Sequence, residues 1–321
     1  MALRAYRKQL AFLADHNLAV FAKPAFEMPS TPLPLTMTSD QFLAHIQEHA
    51  KSFAQAVATD EGDWIVKGFI DVYKGVYSIS DDTKIVSKVL ELLLFPMFAD
   101  FAQKHNLEFE LCKHQNHYPD ITFTHADSHN RFAVDIKSTY RESATKVNGM
   151  TLGAFTGYFR NRDSNKNTLY PYSQYAAHIV LGVIYTKCEG VGDERKKYSI
   201  EDLSNIPSVI KEFQFFAQPK FGIATGQPGS GNTKNIGSVD TITALVNGSG
   251  PFASLGESVY DDYWMFYLTK DMAKKLEIAR PYTNLKTYVE YKQRGIDTLT
   301  AHAAEIASLV EDEPANEETE S

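Results

Sequence analysis

The sequence predicts a mixed α/β fold, α+β-like in its irregular order, with a mixed sheet flanked by helices. Three observations predict it. Helix-period apolar stretches cover 40–58 and 83–105, and two short strand-like runs at 120–124 and 132–137 face each other across a polar turn. Helices and strands do not alternate as regular βαβ units.

The elements follow in chain order. Residues 3–14 predict a short helix, and 27–36 hold three prolines and predict a linker. In the helix over 40–58, Phe42, Leu43, Ile46, Phe53 and Val57 recur near helical spacing. The runs WIVKGFIDVY and VYSIS predict short strands. Ser80, Asp81 and Asp82 form an N-cap cluster for a helix reaching about His105, with a kink expected at Pro96. Residues 173–187 are apolar enough to be buried, but periodicity does not separate helix from strand there. A glycine-rich loop spans 226–237, and 297–310 predict a short helix before an acidic tail, which its composition predicts to be disordered.

The 321 residues are 43% hydrophobic and 12% aromatic, enough to bury a substantial core. Two cysteines, Cys112 and Cys188, cannot form a disulfide framework, so the chain is expected to be intracellular and cytoplasmic. No apolar run reaches membrane-spanning length, so no membrane partner is expected. At the N-terminus Asp15, His16 and Asn17 interrupt the apolar residues too early for a signal peptide. The net charge of −8 argues mildly against nucleic acid, but six acids lie in 311–320, and without them the net charge is −2. A nucleic-acid groove needs local positive charge, not a basic whole.

The chemical signal is Pro119-Asp120 followed by Asp135-Ile136-Lys137. Side chains alternate along a strand, so Phe132, Val134 and Ile136 point into a core while Asp135 and Lys137 point together to an open face. A hairpin would bring Asp120 beside Asp135. Two carboxylates and an ammonium suit metal-assisted phosphodiester hydrolysis, since hard divalent cations take oxygen ligands and a lysine offsets transition-state charge. The plain alternative is a pair of surface carboxylates neutralised by a lysine. Glu91 is a candidate third carboxylate, but it shares a helix face with Lys84 and Lys88, where it could simply be a solvated partner. Cys112, His114 and His117 lack an obvious fourth ligand for a structural zinc site. The loop from Gly226 approaches a phosphate-binding P-loop, but Asn232 stands where that motif needs lysine, so nucleotide binding is rejected. Its glycines and asparagine instead suit major-groove reading, although composition alone favours an ordinary turn.

Six ordered segments, SDDTK with the downstream Glu91, KHQNHYPDITF, AVDIKSTY, TLGAFTGYFRN, YPYSQYAAHIVLGVIYT and GSGNTKNIGS, resemble one group of proteins. These are the type II restriction endonucleases of the PD-(D/E)xK nuclease superfamily. The similarity runs from about Met37 to Gly295. It implies a restriction-endonuclease-like core over 37–295, with a dimerisation part at roughly 37–80 and a catalytic and DNA-binding part at roughly 81–295. Residues 1–36 then form an N-terminal extension and linker, and 296–321 a C-terminal helix and acidic tail.

The resemblance implies that Asp120 and Asp135 bind the metal, that Lys137 is the catalytic lysine, and that Glu91 assists as a further metal-site carboxylate. It implies a major-groove loop of Gly229, Ser230, Gly231, Asn232 and Thr233, a minor-groove loop at Gln115 and Asn116, and DNA-backbone contacts at Thr83 and Lys84. It further implies Mg²⁺ as cofactor with Mn²⁺ tolerated, a homodimer on double-stranded DNA, a companion DNA methyltransferase, and blunt central cleavage of GATATC. Three departures stand out. His114 replaces glutamine, Gly157 replaces serine, and the turn between the aspartates is one residue shorter. A nuclease of the same fold acting in repair, and a non-catalytic DNA-binding protein, are the competing readings. The reading loop argues against the first, and the intact Asp120, Asp135 and Lys137 against the second.

Overall fold

In a computed structural model, residues 36–112, 117–188, 196–229, 234–295 and 297–309 are described. The helix expected at 3–14, nearly all of the proline linker and the acidic tail lie outside them. Helix α1 (Ser39–Ala50) starts at a capping box, in which the Thr38 hydroxyl accepts from the Gln41 amide and the Gln41 side chain accepts from the Thr38 amide. The single helix expected over 40–58 is broken at Lys51 and Ser52, and α2 (Phe53–Val57) follows. Strands β1 (Gly68–Ile70) and β2 (Gly75–Ser78) then form a hairpin. Helix α3 (Thr83–Lys104) opens at Asp82, whose carboxylate accepts from the Lys84 and Ile85 amides, and it runs through Pro96 without ending.

The chain then enters its main sheet. Strands β3 (Leu107–Leu111), β4 (Ile121–His125) and β5 (Arg131–Tyr140) form an antiparallel meander. After β6 (Thr151–Ala154) comes β7 (Tyr175–Lys187), which pairs parallel with β5. The ambiguous stretch at 173–187 is therefore a long strand. Both of its faces are covered, which erases the alternation that marks a half-buried strand. Strand β8 (Lys197–Ser199) joins the β1–β2 hairpin, and β9 (Ile210–Pro219) closes the main sheet in the order β3-β4-β5-β7-β9.

A short turn of helix, α4 (Lys220–Ile223), leads into β10 (Ala224–Pro228) and β11 (Asn235–Ser238), which form a second small sheet with β6. Helices α5 (Ile242–Asn247), α6 (Glu257–Phe266), α7 (Lys270–Lys275), α8 (Leu285–Gln293) and α9 (Ala303–Ser308) follow among the described residues. The last agrees with the helix expected near 297–310.

The main sheet separates two cores. On one face Phe42, Phe53, Leu90, Leu94, Phe98 and Phe101 from the N-terminal helices pack on Phe123, Phe132, Val134 and Leu181. Phe42 stacks on Phe132 with ring centroids 4.2 Å apart. On the other face Ala133, Val180, Ile184 and Phe216 meet Leu152, Phe155, Tyr263 and Trp264. Each buried aromatic removes enough surface from water to contribute about 2–3 kcal/mol. The sheet between these two cores is packed on both faces, and it is this sheet that carries the aspartates. The mixed α/β class predicted from the sequence is the one observed.

Candidate active site

Asp120 ends the segment Tyr118-Pro119-Asp120 just before β4, and Asp135 and Lys137 lie on β5. The register pairs Ile121 with Val134, so Asp120 falls beside Asp135 on adjacent strands. The alternation predicted for β5 holds, with Phe132 and Val134 in the helix-covered core and Ile136 packed against it. Asp135 and Lys137 point the other way. The face they share is not open, however. Asp135 is only 5% exposed, because the C-terminal helices and the small β6–β10–β11 sheet cover that side.

Lys137 Nζ lies 2.8 Å from Asp135 Oδ2 and 3.9 Å from Asp120 Oδ2. The Ile136 amide donates to Asp120 Oδ2 at 2.7 Å, which fixes that carboxylate against the neighbouring strand. Burial and then the like charge of Asp135 push the Asp120 carboxyl up to about 7. Burial alone would also raise Asp135, but the charges of Lys137 and Lys220 outweigh it and hold that carboxyl below its ordinary value. Burial works against the Lys137 ammonium, yet Asp135 and Asp120 hold its pKa above the ordinary lysine value. The two carboxyls thus shift in opposite directions, Asp120 upward and Asp135 downward.

A cleft of about 500 Å³ runs from Asp120 and Ile136 to the start of α3, lined also by Thr83, Lys84, Lys88 and Glu91. Thr83 and Lys84 therefore flank the same cleft as Asp120. Ser87 on α3 is hydrogen-bonded to Ser138 on β5 at 2.7 Å, tying the helix to the strand that carries the site. Glu91 stands on the cleft wall with its carboxylate on Lys88 Nζ at 2.7 Å, close enough for its charge to reach Lys137. Among the described residues no three acidic, histidine or cysteine side chains converge to hold an ion, so Glu91 stands apart from the aspartate pair.

Gly229 closes β10, with its amide on the Asn235 carbonyl at 2.9 Å. A Cβ there would lie 2.9 Å from Thr151 Cγ2, so a larger residue would make the Thr151 side chain shift. Ser230, Gly231, Asn232 and Thr233 lie outside the described residues, as do Gln115, Asn116 and His114. Gly157, the residue departing from the expected serine, sits at φ 58°, a left-handed conformation that glycine adopts without strain. Sequence reasoning missed Lys220, which is 2% exposed beside the aspartates. A lysine inside the otherwise apolar and amide run FFAQPKFGIA was the available signal.

The sequence model of the EcoRV restriction endonuclease family matches residues 60–293, which contain Asp120, Asp135, Lys137 and the whole main sheet. The chain belongs to the EcoRV restriction endonuclease family. It is 36% identical over 232 residues to the type II restriction enzyme EcoRV of Escherichia coli, covering 72% of this chain and 91% of that protein. Among solved structures, the NlaIV restriction endonuclease is matched over 80% of this chain and 96% of its own, at 10% identity and a TM-score of 0.35. A similarity that low carries no argument about this chain. EcoRV-family membership makes the protein a type II restriction endonuclease in class. No helix among the described residues is long and apolar enough to cross a membrane.

Proposed function

We propose that the protein cuts double-stranded DNA at GATATC, bluntly and at the centre, using Mg²⁺ held by Asp120 and Asp135. The observation that carries the chemistry is the cluster in which the Asp135 and Asp120 carboxylates lie 2.8 and 3.9 Å from the Lys137 ammonium, with Asp120 lining the cleft. The donor set fits a hard divalent cation. It offers carboxylate oxygens from two residues side by side on adjacent strands, the ligand type such a cation takes. Bound there, a magnesium ion supplies Lewis-acid polarisation of the phosphoryl group and of the attacking water. Asp135 and Asp120 would hold the ion through their carboxylate oxygens. Lys137 holds its charge beside both and stabilises negative charge growing on the phosphate oxygens. Glu91 supports the site from the cleft wall, and Mn²⁺ is expected to substitute for Mg²⁺.

Specificity rests on the loop from Gly229 to Thr233, whose five residues match those of EcoRV. Glycines let the backbone approach base edges, Asn232 can pair with adenine N6 and N7, and the Thr233 methyl can pack on thymine. The central TA step can be read by its ease of kinking. Gln115 and Asn116 would act in the minor groove and Thr83 and Lys84 on the backbone. The natural setting is cytoplasmic, with a methyltransferase protecting host sites.

The test is digestion of a plasmid of known sequence in Mg²⁺, with the ends mapped. Discrete blunt fragments ending at the centre of GATATC are expected. Discrete ends elsewhere overturn the specificity, a smear points to a nonspecific nuclease, and intact DNA points to a binding protein.

A further inference from the structure

Lys220 is a charged side chain in a place where charge is costly. It is 2% exposed, and among the described residues its ammonium makes no hydrogen bond and no ion pair within 4.0 Å. Lysines are almost never buried in this way unless paired. One feature accommodates it, the Tyr118 ring, whose centre lies 4.2 Å from Nζ. Tyr118 lies two residues before Asp120, so the ammonium rests on the segment that delivers that carboxylate.

The sheet explains the approach. Ile179 of β7 pairs with Val134 on one side and with Pro219 on the other. Lys220 follows Pro219 directly and so enters beside the aspartates from across β7. Its charge is felt at Asp135 and Asp120, and at Lys137 as repulsion. Two carboxylates therefore sit among two buried or half-buried lysines. Ionised, the four cancel, and a dication added to this cluster without DNA brings an uncompensated double charge.

We infer that Lys220 is a positioning residue for DNA cleavage, a buried second cation that restrains divalent-ion binding to Asp120 and Asp135 until a DNA phosphate supplies the opposing charge. The inference rests on the proposed role of those two aspartates as metal ligands. By thermodynamic reciprocity, a DNA-induced gain in ion affinity appears equally as an ion-induced gain in DNA affinity. Lys220 enlarges both by weakening the DNA-free ion complex.

The experiment titrates Ca²⁺ into the DNA-free protein by calorimetry, for the wild type, Lys220→Met, Lys220→Arg and Asp135→Asn, with folding checked by circular dichroism. Removing the positive charge in Lys220→Met is expected to tighten Ca²⁺ binding by about tenfold or more, while single-turnover cleavage in Mg²⁺ slows by about ten- to a hundredfold. A merely structural lysine would not give tighter ion binding together with slower cleavage. Lys220→Arg keeps the charge and is expected to bind Ca²⁺ within about twofold of wild type. Unchanged or weaker Ca²⁺ binding in folded Lys220→Met overturns the inference alone. If Lys220→Met fails to fold, Lys220→Gln takes its place, and an arginine variant that alters Ca²⁺ binding as strongly as the neutral one also overturns it. Undiminished Ca²⁺ binding by Asp135→Asn overturns the metal site, and the inference with it.

Discussion

Asp120 and Asp135 are chemically identical, yet the fold treats them differently. Asp135 has Lys137 at 2.8 Å, whereas Asp120 has it at 3.9 Å and carries the repulsion of its neighbour. Burial first, and then that repulsion, push Asp120 up to about 7 in the folded protein, against about 4 in an unfolded chain. The sign of the linkage follows. Stability that the protonated carboxyl contributes is fully present below about pH 4 and is lost as pH rises through about 7. Asp120→Asn cannot ionise, so it should melt above the wild type at pH 8, with the gap closing toward pH 5. Thermal melts of both proteins across that range check it, and a wild type that gains on the variant as pH rises would refute it. Lys137→Ala addresses the reaction instead. Cleavage should fall by about 10²–10³ with DNA binding still measurable, because the lost charge acts on the transition state. Cleavage near the wild-type rate would remove Lys137 from the mechanism.

At the scale of elements, the two strands of the site were legible because each is short, alternating and bounded by polar turns. Ile121 and Phe123 on β4, and Phe132 and Val134 on β5, fix the register through the N-terminal core. The depth of Asp135 was not legible. It is set by Leu152, Phe155 and Trp264, which arrive from distant parts of the chain and cover the second face of the sheet. The same cover hid the nature of β7 and the burial of Lys220.

Helices α1 and α3 carry a separate pH dependence. His45 and His49 on α1 meet His105 at the end of α3, with His45 and His105 centroids 4.1 Å apart and Glu48 and Lys104 alongside. His49 Nε2 is 2.9 Å from the Met97 carbonyl, and Asp100 also acts on this ring. Burial, followed by the charges of His45, Lys104 and His49, lowers His105 to about 4. An unfolded histidine titrates near 6.5, so this contribution to stability is present above that pH and is lost as pH falls toward 4. His105→Asn should therefore lose less melting temperature than the wild type between pH 7.5 and pH 5. Equal losses in the two proteins would show that the cluster does not set the acid limit.

For the whole molecule, the unresolved demand is symmetry. Each chain carries one Asp120–Asp135–Lys137 cluster, whereas the blunt cutting of a palindrome proposed for it calls for two such clusters related by a two-fold axis. The small sheet β1-β2-β8 presents a surface suited to that assembly. Phe69 is 52% exposed, Ile70 59%, Val72 90% and Tyr73 86%, an apolar group larger than scattered surface residues explain. It lies within the 37–80 segment expected to serve dimerisation, with β8 added from later in the chain. Self-association of this sheet between two copies would bury the patch. Replacing both Phe69 and Val72 by Glu places like charges across such an interface without touching either core. The wild type should sediment as a dimer at micromolar concentration, and the double variant as a 36.0 kDa monomer. On supercoiled plasmid the variant should lose double-strand cutting. A variant that remains dimeric and cuts both strands as the wild type does would place the two-fold contact elsewhere on the molecule.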